Sequence, residues 1–269
     1  MSKIEQKGTA LITGASSGIG AVYADRLAKR GYDLVLVARN QDRLQSLADR
    51  LARETGRTVE TLVADLSNAA DLAKVETRLR TDAAISMLVN NAGFGAVTPL
   101  VATDVDKMSE MISLNVTAPM RLTYAAAPSF LARGQGALIN ISSIVALTPE
   151  LLNGVYGGSK AFVLTFSQSL QYELGDKGVR VQAVLPGATA TEFWDIAGHS
   201  VDNFPTSFVM TAENMVDAAL AGFDQGEVVT IPALPDQAEW DAFEAMRREM
   251  SGRLSNAAPG RRYGIALSA

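Results

Sequence analysis

The sequence predicts an α/β fold: a doubly wound parallel sheet of about seven strands with helices on both faces. Three observations support this. Short apolar runs alternate with amphipathic stretches of helical period along nearly the whole chain. The runs are continuously apolar rather than alternating, which suits strands covered on both faces. No Pro/Ser-rich linker or internal repeat breaks the order, so the 269 residues predict one domain.

The elements follow in order. Thr9 to Thr13 is the first strand and ends in a glycine-rich turn; Ile19 to Lys29 is the helix after it. Asp33 to Ala38 and Val59 to Ala64 are strands, each followed by an amphipathic helix, Gln41 to Thr55 and Ala69 to Leu79. Ile85 to Asn90 is the fourth strand. Val105 to Ala132 reads as one helix with a bend near Pro119. Ala137 to Ile141 is the fifth strand, and Val155 to Asp176 a helix that Gly178 stops. Val179 to Leu185 is the sixth strand, Ala212 to Phe223 a helix and Val228 to Ile231 a short last strand. Between them residues 188–211 form a loop rich in aromatics, a candidate substrate loop. Residues 235–269 are an extension. In it Trp240, Phe243, Met246, Met250 and Leu254 recur at helical spacing, the mark of core or oligomer packing.

Composition excludes several function classes. A hydrophobic fraction of 48% supports a substantial core. Net charge of −5 and a pI near 5.0 argue against general nucleic-acid affinity. With no cysteine there is no disulfide or thiolate metal site, and a single histidine, His199, leaves no His-rich metal cluster. Met1 to Lys7 is polar and lacks the apolar core of a secretory signal. No run reaches the roughly 18 apolar residues a membrane span needs. The expected location is the cytoplasm, where the sequons at Asn115 and Asn140 carry no meaning.

The stretch from Ser143 to Lys160 carries the chemistry. Tyr156 and Lys160 are four apart and share one helix face. A phenol with a pKa near ~10 is a poor base at neutral pH. A cation about 4 Å away is worth roughly 4 kcal/mol at an effective dielectric near 20, enough to lower the phenol by up to about three pKa units. Ser143 offers a hydroxyl that could hold a carbonyl or alcohol oxygen beside it. The plain alternative is a half-buried tyrosine and a solvated lysine.

Thr13-Gly14-Ala15-Ser16-Ser17-Gly18-Ile19-Gly20 joins the first strand to the first helix. Glycines there allow a tight turn and close approach to a pyrophosphate, and the helix N-terminus supplies free N–H groups. The spacing departs from G-x-G-x-x-G. Gly14 to Gly18 also matches the G-x-S-x-G elbow of a serine hydrolase, with Ser16 as nucleophile and His199 as the sole possible base. That elbow would follow the first strand, with too little sheet before it.

Together with Asn90-Asn91-Ala92-Gly93, Asn115, Ser143, Tyr156-x-x-x-Lys160, Pro186-Gly187 and Thr191, this turn resembles the successive motifs of the short-chain dehydrogenase/reductase family. The resemblance runs from about Thr9 to Ile231 and implies a Rossmann-like fold and an NADP(H)- or NAD(H)-dependent oxidoreductase acting on CH–OH/C=O. It implies that Ser143, thirteen residues before Tyr156, orients the substrate oxygen, which selects it over Ser142. It makes Tyr156 the acid/base, and Lys160 both the group that lowers the tyrosine pKa and a ribose ligand. It gives Asn115 a part in a water-mediated proton relay; a kink asparagine bonding backbone is the structural alternative.

The cofactor residues implied are Gly14, Ser16, Ser17, Gly18, Ile19 and Gly20 in the turn. Asp65 and Leu66 follow the third strand, and Asn91, Ala92 and Gly93 the fourth. Pro186, Gly187, Thr189 and Thr191 grip the nicotinamide end, with Thr189 standing where the family has Ile or Val. Asp65 alternatively sits in a helix cap for which Ser67 and Asn68 compete. Gly158 replaces the usual alanine at a cost of up to about 1 kcal/mol. Family members form homodimers or homotetramers through the Asn115 and Tyr156 helices.

Arg39 selects between cofactors. It ends the second strand in Val37-Ala38-Arg39-Asn40, nineteen residues after Gly20, with no acid there for a ribose 2′-OH. An arginine at that point favours a 2′-phosphate, so NADP(H) is expected over NAD(H); a solvated arginine is the alternative. The substrate is expected to be a small apolar carbonyl compound, because Phe193, Trp194, Phe204 and Phe208 crowd one loop; simple packing of these rings beneath the loop is the alternative. The rival functions are a non-catalytic NADP(H)-binding sensor and, less well supported, the hydrolase.

Overall fold

The computed structural model describes residues 7–265, and alternate side chains of the apolar runs feed two separate cores. The strands are β1 (Thr9–Thr13), β2 (Asp33–Ala38), β3 (Val59–Val63), β4 (Ile85–Asn90), β5 (Gly136–Ile141), β6 (Val179–Val184), β7 (Thr189–Ala190), β8 (Met210–Thr211) and β9 (Val229–Thr230). The main sheet runs β3-β2-β1-β4-β5-β6-β9, all parallel. Ile12, Leu36, Met87 and Ile139 point to one face; Leu11, Val35, Leu88 and Leu138 point to the other. Successive residues of a strand point opposite ways, so a strand covered on both sides must be apolar throughout.

Helices α1 (Gly18–Lys29), α2 (Gln41–Thr55) and α8 (Ala212–Gln225) cover the first face with Tyr23, Leu27, Leu44, Leu51 and Met215. Helices α3 (Ala69–Thr81), α5 (Ala118–Arg133) and α6 (Gly154–Leu174) cover the second with Val75, Leu79, Leu122, Phe130 and Leu170. Each such fully buried Leu, Val or Phe contributes about 1.5–3 kcal/mol. Asparagines start three of the helices: Asn40, Asn68 and Asn153 accept from the N–H groups of Arg43, Ala70 and Val155 at 3.0, 2.9 and 2.9 Å.

The expected helix from Val105 to Ala132 is broken in two. α4 (Val105–Ile112) passes through a π-helical turn, Ser113–Thr117, into α5. Pro119 has no N–H to close a turn on the Asn115 carbonyl, so a wider turn is the adjustment. The helix expected to reach Asp176 ends at Leu174; one 3-10 turn, Gly175–Lys177, leads to Gly178 at φ 83°. The loop after β6 also has structure. It contains α7 (Phe193–Ala197), and the parallel β7–β8 pair ties its two ends together.

The chain divides into two compact units, Met1–Pro232 and Ala233–Ala269. The second contains α9 (Gln237–Ser251), capped by Asp236, with Glu244 bonded to Arg247 at 2.9 Å. Phe243, Met246, Met250 and Leu254 are exposed. No helix among the described residues is long and apolar enough to cross a membrane.

Candidate active site

Parallel strands all end on the same edge, and the sheet order reverses between β1 and β4. A crevice outside the strand ends is therefore expected there. A cleft of about 560 Å³ opens at that place, lined by the segments after β1 to β6. At its floor the glycine turn is shaped by close contacts. Gly14 sits at φ 65°, and a Cβ on it would lie 2.8 Å from Asn91 Nδ2. A Cβ on Gly20 would lie 2.2 Å from the Gly14 carbonyl oxygen. Asn91 Nδ2 donates to the carbonyls of Thr13 and Gly14 at 2.9 and 3.2 Å, pinning the turn to β4. Ser17 precedes α1 without capping it, so the first N–H groups of α1 face the cleft with no side-chain acceptor.

Ser143, Tyr156 and Lys160 come together on the β5–β6 side of the cleft. Asn153 fixes where α6 starts, both through its cap and by donating to the Thr98 carbonyl at 2.8 Å. That places Tyr156 in the first turn, buried. Ser143 hydrogen-bonds the Tyr156 hydroxyl, and its Oγ accepts from the Val145 N–H at 3.3 Å. Ser142 is used elsewhere: its hydroxyl donates to the Lys160 carbonyl at 2.7 Å. Lys160 Nζ donates to the Ile141 carbonyl at 3.0 Å.

The electrostatics correct one expectation. Lys160 Nζ lies 5.7 Å from the Tyr156 ring centroid, with its hydrogen bond directed at β5 rather than at the hydroxyl. Burial dominates both groups. It drives the Tyr156 phenol well above its ordinary range, and only the Ser143 hydrogen bond opposes it. Burial also lowers the Lys160 ammonium from 10.5 to about 8. In this geometry the Ser143 hydroxyl, rather than the Lys160 cation, is the group that opposes burial at the phenol.

The other sequence-predicted residues divide clearly. Ser16, Gly18, Ile19, Arg39, Leu66, Ala92, Gly93, Pro186, Gly187 and Thr191 all line the cleft, as do Asp65 and Thr189. Asp65 also accepts from the Ser67 N–H at 2.9 Å, while Asn68 takes the cap of α3. Thr189 turns its hydroxyl to the Gly187 carbonyl at 3.1 Å. Gly20 does not line the cleft; it lets α1 pack against the turn. Asn115 does not line it either. Its amide bridges both polar groups of Phe94, accepting at 3.1 Å and donating at 2.8 Å, and also donates to Ser159 Oγ at 3.2 Å. Its side chain is therefore a tether between the β4 loop and α6. His199 packs on Trp194 and Phe204 and does not line the cleft that Ser16 lines, so the hydrolase pairing is not assembled.

Two features had no sequence reading. Arg43, one helical turn beyond Arg39, pairs with Glu192 at 2.7 Å, joining the start of α2 to the loop after β6. Arg39 is exposed and makes no ion pair among the described residues. Leu151, Leu152 and Ile196 join Val145 and the aromatic loop in an apolar wall. The leucines sit within the Ser143 to Lys160 stretch, so their closeness to Tyr156 was a usable signal. The charged lining residues, Arg39, Arg43, Asp65, Glu192 and Lys160, leave that wall without a charge of its own.

A family profile described as short chain dehydrogenase matches residues 8–200. A short-chain dehydrogenase from Sphingobium yanoikuyae, solved in complex with NADPH, is 50% identical, with a TM-score of 0.91 over 94% of this chain and 98% of that one. The bulky-bulky ketone specific alcohol dehydrogenase from Comamonas testosteroni is 45% identical, with a TM-score of 0.88 over 96% and 99%. Among curated proteins, very-long-chain 3-oxoacyl-CoA reductase of Mus musculus is 34% identical over 78% of this chain and 67% of its own length.

Proposed function

This chain belongs to the short chain dehydrogenase family, and from that premise we propose that it is an NADP(H)-dependent oxidoreductase that interconverts a bulky apolar ketone and its alcohol. One observation carries the reading. A single cleft joins a glycine turn flanked by Arg39 and Arg43 to Ser143, Tyr156 and Lys160 under an uncharged apolar wall. The glycines let the turn close tightly against Asn91, Ala92 and α1, and the unused N–H groups of α1 suit a pyrophosphate. Arg39 suits a 2′-phosphate. The NADPH bound to the Sphingobium relative and the bulky ketones of the Comamonas relative support the same assignment.

NADPH, when bound, supplies the hydride. The hydroxyls of Ser143 and Tyr156 hold the carbonyl oxygen between them. Burial keeps Tyr156 a neutral phenol at pH near 7, so it is ready to donate a proton as that oxygen becomes an alkoxide. Ser143 then stabilises the phenolate until it regains a proton from water. Pairing of copies through α5 and α6 is part of the proposal and is read by analytical ultracentrifugation.

The test is NADPH oxidation by the purified protein with a panel of phenyl ketones, repeated with NADH. Turnover at least about tenfold better with NADPH is expected, the equivalent of about 1.4 kcal/mol. Equal use of NADH overturns the cofactor assignment. NADPH binding without turnover of any ketone supports a non-catalytic sensor instead.

A further inference from the structure

Resting on that reading, we propose that Phe193 is a specificity-determining residue that sets the size of the group admitted beside Tyr156, and that Gly95 positions it. Phe193 begins α7, and its ring meets the Tyr156 ring at 5.7 Å, tilted by 44°. Its other face meets Trp194 edge-on at 5.4 Å. Trp194 is itself fixed, because its indole N–H donates to the Thr189 carbonyl at 2.9 Å. The ring tip reaches across to the loop after β4. A Cβ on Gly95 would lie 2.3 Å from Phe193 Cζ and 2.9 Å from Cε2. That is closer than carbon atoms approach, so Gly95 is the one residue type that lets the ring lie where it does.

The segments after β4 and after β6 thus meet in one contact beside the proton donor. Gly95 lies on the segment after β4, and Phe193 on the segment after β6, where it packs with Ala96, Met111 and Val145. A ketone whose oxygen is held by Ser143 and Tyr156 must place one substituent against the Phe193 ring. Away from the Tyr156 hydroxyl, the residues packed with that ring, Ala96, Met111 and Val145, are apolar, so shape sets the limit. A step of one methylene in such a pocket changes kcat/KM by about 10-fold or more.

The experiment is a double-mutant cycle with Gly95→Ala, Phe193→Ala and the pair, with Phe193→Leu as a milder second variant. Each is assayed with NADPH and phenyl ketones bearing methyl, propyl or phenyl as the second substituent. Thermal unfolding and NADPH affinity are measured in parallel. Phe193→Ala is expected to lower KM for the bulkiest ketone about 10-fold relative to the smallest, with kcat changed less. Gly95→Ala is expected to shift the size profile by a similar factor alone, and by less than about 2-fold when Phe193 is already Ala. NADPH affinity is expected to stay within about 2-fold in every variant. An unchanged size profile in Phe193→Ala and Phe193→Leu, or a Gly95→Ala effect equal in both backgrounds, overturns the inference while leaving the proposed function standing. Failure of the wild-type protein to reduce any ketone overturns the proposed function and this inference with it.

Discussion

Replacing Lys160 by Met tests whether burial, rather than charge pairing, governs the site. The ammonium has an ordinary value of 10.5 and falls to about 8 in the folded chain, with burial as the cause. Below the folded value both states hold the proton, and the folded protein carries the full cost of a buried charge, about 3 kcal/mol. As pH rises from about 8 towards about 10.5, the folded chain loses the proton first while the unfolded chain keeps it. Stability therefore rises with pH across that window. Integrated from about pH 7 to about pH 9.5, the gain is about 2 kcal/mol. Tyr156 does not mask it: burial holds its phenol above the ordinary 10.0, so its contribution is lost only at higher pH. Lys160→Met lacks the titration, though it leaves the Ile141 carbonyl without its donor at a pH-independent cost of about 1–3 kcal/mol. Urea unfolding of both proteins, followed by circular dichroism across this range, reads the difference. Wild type should gain about 2 kcal/mol on the variant between the two pH values. A difference that stays flat with pH refutes the reasoning.

Two further outcomes follow from the same geometry. Arg39→Ala removes a charge-assisted contact to a 2′-phosphate worth about 1.5–3 kcal/mol, so calorimetry should find NADPH binding weakened about 10- to 150-fold and NADH binding little changed. Gly158→Ala should stabilise the protein: the position is exposed on α6, and nothing lies within 4 Å of an added Cβ. The gain is up to about 1 kcal/mol, or about 2–4 °C in a thermal melt.

The parts of this molecule legible in the sequence are those set by local pattern. β1, β2, β4 and α2 begin and end where their apolar runs or caps do, at Thr9–Thr13, Asp33–Ala38, Ile85–Asn90 and Gln41–Thr55. The gathering of Ser143, Tyr156 and Lys160 was also legible, because one of the three is fixed by strand end and two by helix period. What pattern could not show is the direction of the Lys160 ammonium. The spacing puts Tyr156 and Lys160 on one face, but a backbone acceptor at Ile141, brought there by the fold, takes the hydrogen bond. The phenol's shift likewise depends on how much chain closes over it. Asn115 shows the same limit: its partners, Phe94 and Ser159, are 21 and 44 residues away. Arg43 and Glu192, 149 residues apart, pair only because α2 and the loop after β6 share one mouth.

Tyr156→Phe is the most direct measurement of the central claim, since it removes one oxygen and leaves the buried ring in place. The phenol as proton donor accounts for a factor of about 10² to 10⁴. NADPH oxidation with a bulky phenyl ketone should fall by that factor, with NADPH affinity held within about 2-fold of wild type. A variant that reduces the ketone at the wild-type rate would contradict the account.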